Sequence, residues 1–476
     1  MMNRRSFIKA GAGITIGASL LPMSKLFADQ AKKPNIVFVF SDQQRWDTLG
    51  CYGQKLPVSP VLDSLAKAGI RFENAFTPQP VCTPARAVIQ TGKYASQCGV
   101  YWNGIALPQN EKTLAHYLDA AGYNLGYVGK WHLATRKNAE GKNEELIPKE
   151  FRGGYDGYWF GADALEETSH GYGGYVYNEK MEKVEFKGYR VDAITDFGLD
   201  FIRMQDDKKP FFLFMSFIEP HQQNDIDKVE GPKGSKEKFA DFAAPADLAK
   251  SEEKGNWQEN YPDYLGACNS IDSNIGRIVD ELKKRGIYEN TIIVYTSDHG
   301  CHFKTRNKRY KQTPHESSIR IPLIISGPGF SGGKTMNGLA SLIDIAPTIL
   351  SAAGVEKPPF MPGYVLQDFT GQGKDIPRDE VFIQFSGSFH GRAIRTKRWK
   401  YSVSNMNKEK RNNPFFTEYD EQFLYDLEND PGELKNLVKD PAYAETRKEL
   451  SAKLLKYIKD VENIDAKINS PHVENL

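Results

Sequence analysis

The chain has 476 residues, 40% of them hydrophobic, which is enough for one large domain plus a smaller one. Its 62 Lys and Arg against 61 Asp and Glu leave no basic field, so no charge argument exists for a nucleic-acid partner. Five cysteines, at 51, 82, 98, 268 and 301, contain no Cys-x-x-Cys pair, which argues against a zinc knuckle or thioredoxin-type site, and their odd number leaves at least one thiol free.

At the N-terminus, Asn3-Arg4-Arg5-Ser6-Phe7-Ile8-Lys9 precedes a Gly/Ala/Ile/Leu run to about Leu21, then Ala28 in a cleavage-like region. Basic, apolar and small-residue regions in that order predict an export signal over residues 1–28, of the twin-arginine type, with the periplasm as destination. The apolar run is short for a bilayer and rich in glycine, and nothing later is long and apolar enough to span, so no stable membrane span is expected.

Asn35–Phe40 is a continuous apolar, β-branched run of the kind that forms a buried parallel strand, and it ends in Ser41-Asp42-Gln43. Ligands of open α/β sheets bind beyond strand carboxyl ends, which places Asp42 and Gln43 in a site. A helix is expected over Pro60–Ala68, with Ser59 as N-cap and Gly69 as stop, then a strand over Ile70–Phe76. Next comes Val81-Cys82-Thr83-Pro84-Ala85-Arg86, with an apolar run closing in Thr91-Gly92. Pro84 suits a first helical turn, so Cys82 sits at a helix N-terminus, where the dipole and free N–H groups favour an anion. Arg86, one turn on, points back to the same spot. A lone cysteine beside a cap is ordinarily structural; its spacing from Pro84 and Arg86 is what marks this one.

Lys112–Ala121 reads as an amphipathic helix and Asn124–Val128 as a strand that delivers Lys130 and His132, two residues apart and facing one side. Residues 138–189, rich in Gly, Tyr, Glu and Lys without periodicity, read as loops over the site. A helix over 190–206 and a strand over Pro210–Phe217 deliver Glu219-Pro220-His221, followed by a polar insertion over 222–256. A helix over Tyr264–Lys284 leads to the strand Thr291–Thr296, closed by Ser297-Asp298-His299-Gly300. Asp42, Asp298 and His299, with Gln43, make a carboxylate-rich cluster at two strand ends. Hard oxygen donors suit calcium or magnesium, and the imidazole leaves manganese open. Repeated strand–helix alternation with polar clusters at strand ends predicts a doubly wound α/β enzyme. Past Ile343–Ala353 a Pro/Gly/Gln-rich linker over 357–376 leads to short strands (Val381–Phe385, Arg392–Arg395, Lys400–Val403, Phe423–Leu427) and a helix over 442–460. The expected division is a catalytic domain over 34–360 and a small α+β domain over 375–476.

Cys82-x-Pro84-x-Arg86 followed by Thr91-Gly92 resembles the signature of the formylglycine-dependent (type I) sulfatases of the alkaline-phosphatase-like superfamily, with Ala85 where Ser is commonest. Lys311 with His315-Glu316 resembles the family's Lys-x-x-x-Tyr-Glu segment, with His315 for Tyr. Leu424-Tyr425-Asp426-Leu427, with Asp430-Pro431-Gly432-Glu433 and Asn436-Leu437, resembles its structural C-terminal element, so the likeness runs from residue 34 to about 440. Where the family often has Asp-Asp and Asp-Asn, this chain has Asp42-Gln43 and Asp298-His299, as in the choline-sulfatase and phosphonate-monoester-hydrolase branch.

The resemblance implies a large mixed, mostly parallel sheet between helices, and a small C-terminal domain with an antiparallel sheet. It implies that a maturase oxidises Cys82 to formylglycine, and that Asp42, Gln43, Asp298 and His299, with the Cys82-derived group, hold a divalent cation, usually calcium. A sulfate ester repels nucleophiles through its own oxygens, so charge must be neutralised and the attacker positioned. On this reading Lys130 and Lys311 grip the sulfuryl oxygens, Arg86 stabilises the ionised diol, His221 is the acid and His132 the base. The expected substrate is a sulfated carbohydrate, algal or glycosaminoglycan, with Lys304–Arg309 contacting a uronate or second sulfate. Two alternatives stay open: a phosphonate monoester or phosphodiester hydrolase, and a non-catalytic sulfated-glycan-binding relative.

Overall fold

Alternate residues of the strand Asn35–Ser41 face opposite ways. Ile36, Phe38 and Phe40 pack with Phe212 and Phe214 on one side, while Val37 and Val39 join Leu213 and Met215 on the other. A strand buried on both faces must lie between helices. Ala85, Val88 and Ile89 of the helix Cys82–Thr91 cover the first face. Ile271, Ile275 and Ile278 of the helix Trp257–Lys284, with Ile194 and Leu199 of Arg190–Met204, cover the second.

The computed structural model describes residues 32–137, 141, 143–206, 208–371, 373–387, 389–405 and 415–469. Among these, the main sheet has eleven strands. In spatial order they are Arg320–Ile321, Ile70–Phe76, Leu323–Ser326, Thr291–Ser297, Asn35–Ser41, Phe211–Ser216, Asn124–Lys130, Tyr158–Ala162, Tyr172–Asn178 and Lys183–Tyr189, with Lys334–Ser341 paired to Ile70–Phe76 off this path. The run from Thr291–Ser297 to Tyr158–Ala162 is parallel throughout, so these carboxyl ends open on one side of the sheet. Outward from it, the pairings with Leu323–Ser326 and with Tyr172–Asn178 are antiparallel. A second sheet orders Glu380–Phe385, His390–Thr396, Trp399–Asn405, Glu418–Asp426 and Lys467–Asn469, antiparallel except for the last pair.

The structure departs from the sequence reading in four places. The stretch read as loops over 138–189 contains three strands that extend the main sheet. They lack simple alternation because their tyrosines are half-buried and their glycines serve close approach: a Cβ on Gly161 would stand 2.6 Å from Gly129 O. The helix expected from Tyr264 begins at Trp257, with Pro262 inside its first turns. The outer strands Leu323–Ser326 and Lys334–Ser341 were not expected. Ser59 stands at an N-cap position without capping; its hydroxyl instead accepts from Gly50 N–H (2.8 Å), and Val61 and Leu62 N–H donate to Asp272 of the long helix (3.1 and 2.7 Å). The export signal over 1–28 lies outside the described residues. No helix among the described residues is long and apolar enough to cross a membrane.

Candidate active site

Four parallel strands deliver the chemistry. Asn35–Ser41 ends at Asp42, Asn124–Lys130 at Lys130, Phe211–Ser216 leads to His221, and Thr291–Ser297 ends at Asp298. Gly129 makes the Lys130 strand end possible: its φ is +106°, and a Cβ there would stand 2.0 Å from Ser216 O. Glu219 ties the His221 loop in place, its carbonyl accepting from Asp42 N–H (3.2 Å) and its carboxylate from Arg190 Nε (2.8 Å).

Cys82 is the first residue of the helix Cys82–Thr91, and its thiol faces the strand ends. Sγ lies 3.5 Å from Asp42 Oδ1, 3.2 Å from His299 Nε2 and 2.9 Å from Lys311 Nζ. Burial pushes this thiol up to about 11, with the Asp42 charge adding and Lys311 opposing. At neutral pH it is therefore protonated and a poor nucleophile as a plain cysteine. Arg86, one turn along, donates to Asp42 Oδ2 (3.0 Å), Ser216 Oγ (2.8 Å) and Lys130 O (2.8 Å), and its Nε lies 3.5 Å from Asp298 Oδ2. Lys130 Nζ donates to the same Asp42 oxygen at 2.8 Å.

The donor set fits a divalent cation. One ligand atom each from Asp42, Cys82, Asp298 and His299 can be chosen so that all lie within 4.8 Å of one another. His299 Nδ1 lies 3.0 Å from Gly300 O; a carbonyl only accepts, so Nδ1 carries the proton and the Nε2 lone pair faces the cluster. Gln43, at φ +67°, donates its N–H to Asp298 Oδ1 (2.9 Å) and its amide to Gln222 (2.5 Å), leaving Oε1 buried without a partner. Burial and the Asp42 charge raise Asp298. Burial raises Asp42 too, but Lys130, His221, Lys311 and Arg86 outweigh it and hold Asp42 well below the usual carboxylate range. Two buried carboxylates, with Asp298 Oδ2 and Gln43 Oε1 left without partners, around an imidazole lone pair are what a dication needs.

Lys311 and His221 meet above the thiol, Nζ 3.0 Å from Nε2. His221 Nδ1 lies 2.5 Å from Gln222 O and therefore carries the ring proton, so Nε2 accepts from the lysine. His132 lines the same cavity with its Nδ1 unpartnered, at a backbone φ of +58°. Burial, then Lys130, pushes the imidazole of His132 well below its ordinary value; burial, then Lys311, does the same for His221.

The cavity has a volume of about 450 Å³, and all six residues read as catalytic line or adjoin it. Sequence reasoning missed Glu166, whose Oε2 lies 3.7 Å from His221 Nδ1, and Gln222 and Asn103, which also line the cavity. No motif marks them; Glu166 lies in the stretch read as loops. His315-Glu316, adjacent to Lys311 in the family segment, points elsewhere: His315 Nε2 contacts Tyr425 Oη at 3.1 Å and Glu316 pairs with Lys400 at 2.7 Å, both in the second sheet.

A mostly parallel sheet whose carboxyl ends converge on a buried carboxylate–imidazole cluster flanked by Arg86, Lys130 and Lys311 is the arrangement of an alkaline-phosphatase-like hydrolase of anionic esters. The family model described as Sulfatase matches residues 34–355, and the chain belongs to the sulfatase family, enzymes that hydrolyse sulfate esters. A second model, described as N-sulphoglucosamine sulphohydrolase, C-terminal, matches 303–460. An ulvan-active sulfatase of Formosa agariphila is 31% identical over 453 residues, covering 91% of this chain and 82% of its own. An N-acetylglucosamine-6-O-sulfatase of Bacteroides thetaiotaomicron is 26% identical over 496 residues, covering 89% and 86%. The crystal structure of yidJ from Bacteroides fragilis, assigned as a sulfatase, superposes with a TM-score of 0.78 at 27% identity, covering 90% of this chain and 96% of its own.

Proposed function

We propose that this sulfatase is exported, that a maturase converts its Cys82 to formylglycine, and that it removes sulfate from a carbohydrate with the help of a divalent cation. The observation that carries the reading is the convergence on Cys82 Sγ of Asp42, His299 and Lys311, all within 3.5 Å. The protonated, buried thiol supports modification, since a nucleophile is needed and the thiol is a weak one. Hydrated formylglycine supplies one hydroxyl for attack on sulfur and a second whose deprotonation expels sulfate. Calcium, or manganese or magnesium, held by Asp42, Gln43, Asp298, His299 and the group at position 82, would neutralise charge on the sulfate oxygens.

The chain's own side chains do the rest. Arg86 clamps Asp42 and faces Asp298, keeping the carboxylates oriented and stabilising negative charge at position 82. Lys130 and Lys311, both buried, present cations to sulfate oxygens. His221 passes on to the departing sugar oxygen a proton that its Nε2 takes from Lys311, and His132 removes the proton that lets sulfate leave. The carbohydrate assignment is supported by two relatives, one an ulvan-active sulfatase and the other an N-acetylglucosamine-6-O-sulfatase.

The test is sulfate release from a panel of sulfated algal and glycosaminoglycan oligosaccharides by enzyme made with the maturase. Release from at least one sugar, well above that from aryl phosphonates and phosphodiesters, is expected. Faster phosphonate turnover, rescued by manganese alone, would move the enzyme to the phosphonate-hydrolase branch that Gln43 and His299 resemble.

A further inference from the structure

Most cations lining the cavity are already engaged. Lys130 is held by Asp42, Lys311 by Cys82 and His221, and Lys304 by Asp227. Arg306 turns away and donates to Gly432 O and Glu433 O. Lys308 and Arg309 differ: both line the cavity, both are exposed, and neither side chain has an ion-pair or hydrogen-bond partner among the described residues.

Their segment is nevertheless fixed. Asn307 accepts from Arg309 N–H at 2.7 Å and donates to Lys311 O at 3.2 Å, and His302 N–H donates to Tyr310 O at 2.8 Å. A stretch tied to Lys311 therefore holds two unneutralised cations at a set place on the cavity wall. Asp227, which also lines the cavity, is occupied by Lys304 and Tyr310. Two adjacent free cations on a rigid wall favour an anion brought by the ligand.

We propose that Lys308 and Arg309 are specificity-determining residues that bind a second anionic group of the substrate, distinct from the sulfate being removed. This rests on the carbohydrate reading above. The second group is a sulfate or a uronate carboxylate, on the same sugar or the one attached to it. The substrate class is thereby narrowed to multiply charged saccharides.

The experiment compares kcat/KM of the matured enzyme on matched oligosaccharides carrying the scissile sulfate alone, with a second sulfate, or with a uronate. Wild type should prefer a doubly anionic substrate about tenfold, or about 1.4 kcal/mol, and the preference should shrink toward one in ~1 M salt, where charges are screened beyond about 3 Å. In Lys308→Ala/Arg309→Ala the preference should vanish through a raised KM at little-changed kcat, and Arg309→Lys should retain most of it. Which doubly anionic arm is preferred identifies the group as sulfate or carboxylate. Equal rates on all three substrates, or a double variant of unaltered Tm that keeps the preference, would overturn the proposal. Absence of sulfate release from all of them by wild type would instead overturn the carbohydrate reading on which it rests.

Discussion

Lys311 Nζ lies 3.0 Å from His221 Nε2 while also reaching Cys82 Sγ at 2.9 Å. Because His221 Nδ1 is committed to Gln222 O, its Nε2 accepts from the lysine, and on the proposed mechanism the two side chains would act on the leaving oxygen as one unit. Residues that act together are not additive. Lys311→Ala and His221→Ala should each remove most of the activity on a sugar sulfate, and the double variant should be little worse than either. General acid help is worth about 10²–10⁴-fold, so the losses should be far smaller on a nitrophenyl sulfate, whose leaving group barely needs a proton. Additive losses, equal on both substrates, would separate the two side chains into independent sulfate contacts.

Removal of divalent cations should abolish turnover and lower Tm together, since whatever binds only the folded state stabilises it. Saturation at 100 Kd corresponds to about 2.7 kcal/mol. Calcium should restore both readings, and Asp298→Asn should blunt the rise in Tm. Full activity after exhaustive chelation would remove the cation from the account.

Lys400, fully buried, lies 2.7 Å from Glu316 and 2.6 Å from Glu433, and Glu316 N–H donates to Glu433 at 2.6 Å. This triad locks the segment after Lys311 to the turn after the strand Glu418–Asp426. Removing the cation strands the buried Glu433 carboxylate while Glu316 keeps Arg395 (3.3 Å), so Lys400→Met should cost about 3–5 kcal/mol in urea unfolding. Adding Glu433→Gln should recover part of it. A loss under ~1 kcal/mol would mean the charges are solvated.

Both halves of that junction were legible in the sequence as separate motifs, but their contact was not, because nothing in Leu424–Asn436 indicates which buried lysine it meets. The parallel strands were legible since burial on both faces leaves an unbroken apolar run, as in Asn35–Phe40, and strand ends then locate Asp42, His221 and Asp298. The strand Tyr172–Asn178 was not, for its glycines and half-exposed tyrosines carry no period. Glu166 follows from neither motif nor period; only the folded cavity brings it to His221. The cap on Val61 and Leu62 comes from Asp272, some 210 residues away, while the local Ser59 is used elsewhere.

Asp272 also sets a pH dependence. Burial raises its carboxyl from 3.8 to about 6, against the pull of the two N–H donors. The folded state then holds a proton that the unfolded chain gives up, so this group's contribution is full below about pH 4 and is lost as pH rises through about 6. Asp272→Asn should flatten that part of the stability–pH curve, which chemical denaturation between about pH 4 and 7 will read. An unchanged slope would mean Asp272 ionises freely in the folded protein.

The most direct test of the central claim is mass spectrometry of the Cys82 peptide, taken from enzyme produced with and without the maturase and assayed in parallel for sulfate release. Activity per molecule should scale with the fraction of Cys82 that has lost sulfur and gained a carbonyl, and Cys82→Ala should release no sulfate while keeping its Tm within a few degrees. Full turnover by a protein whose Cys82 is wholly unmodified would contradict the account.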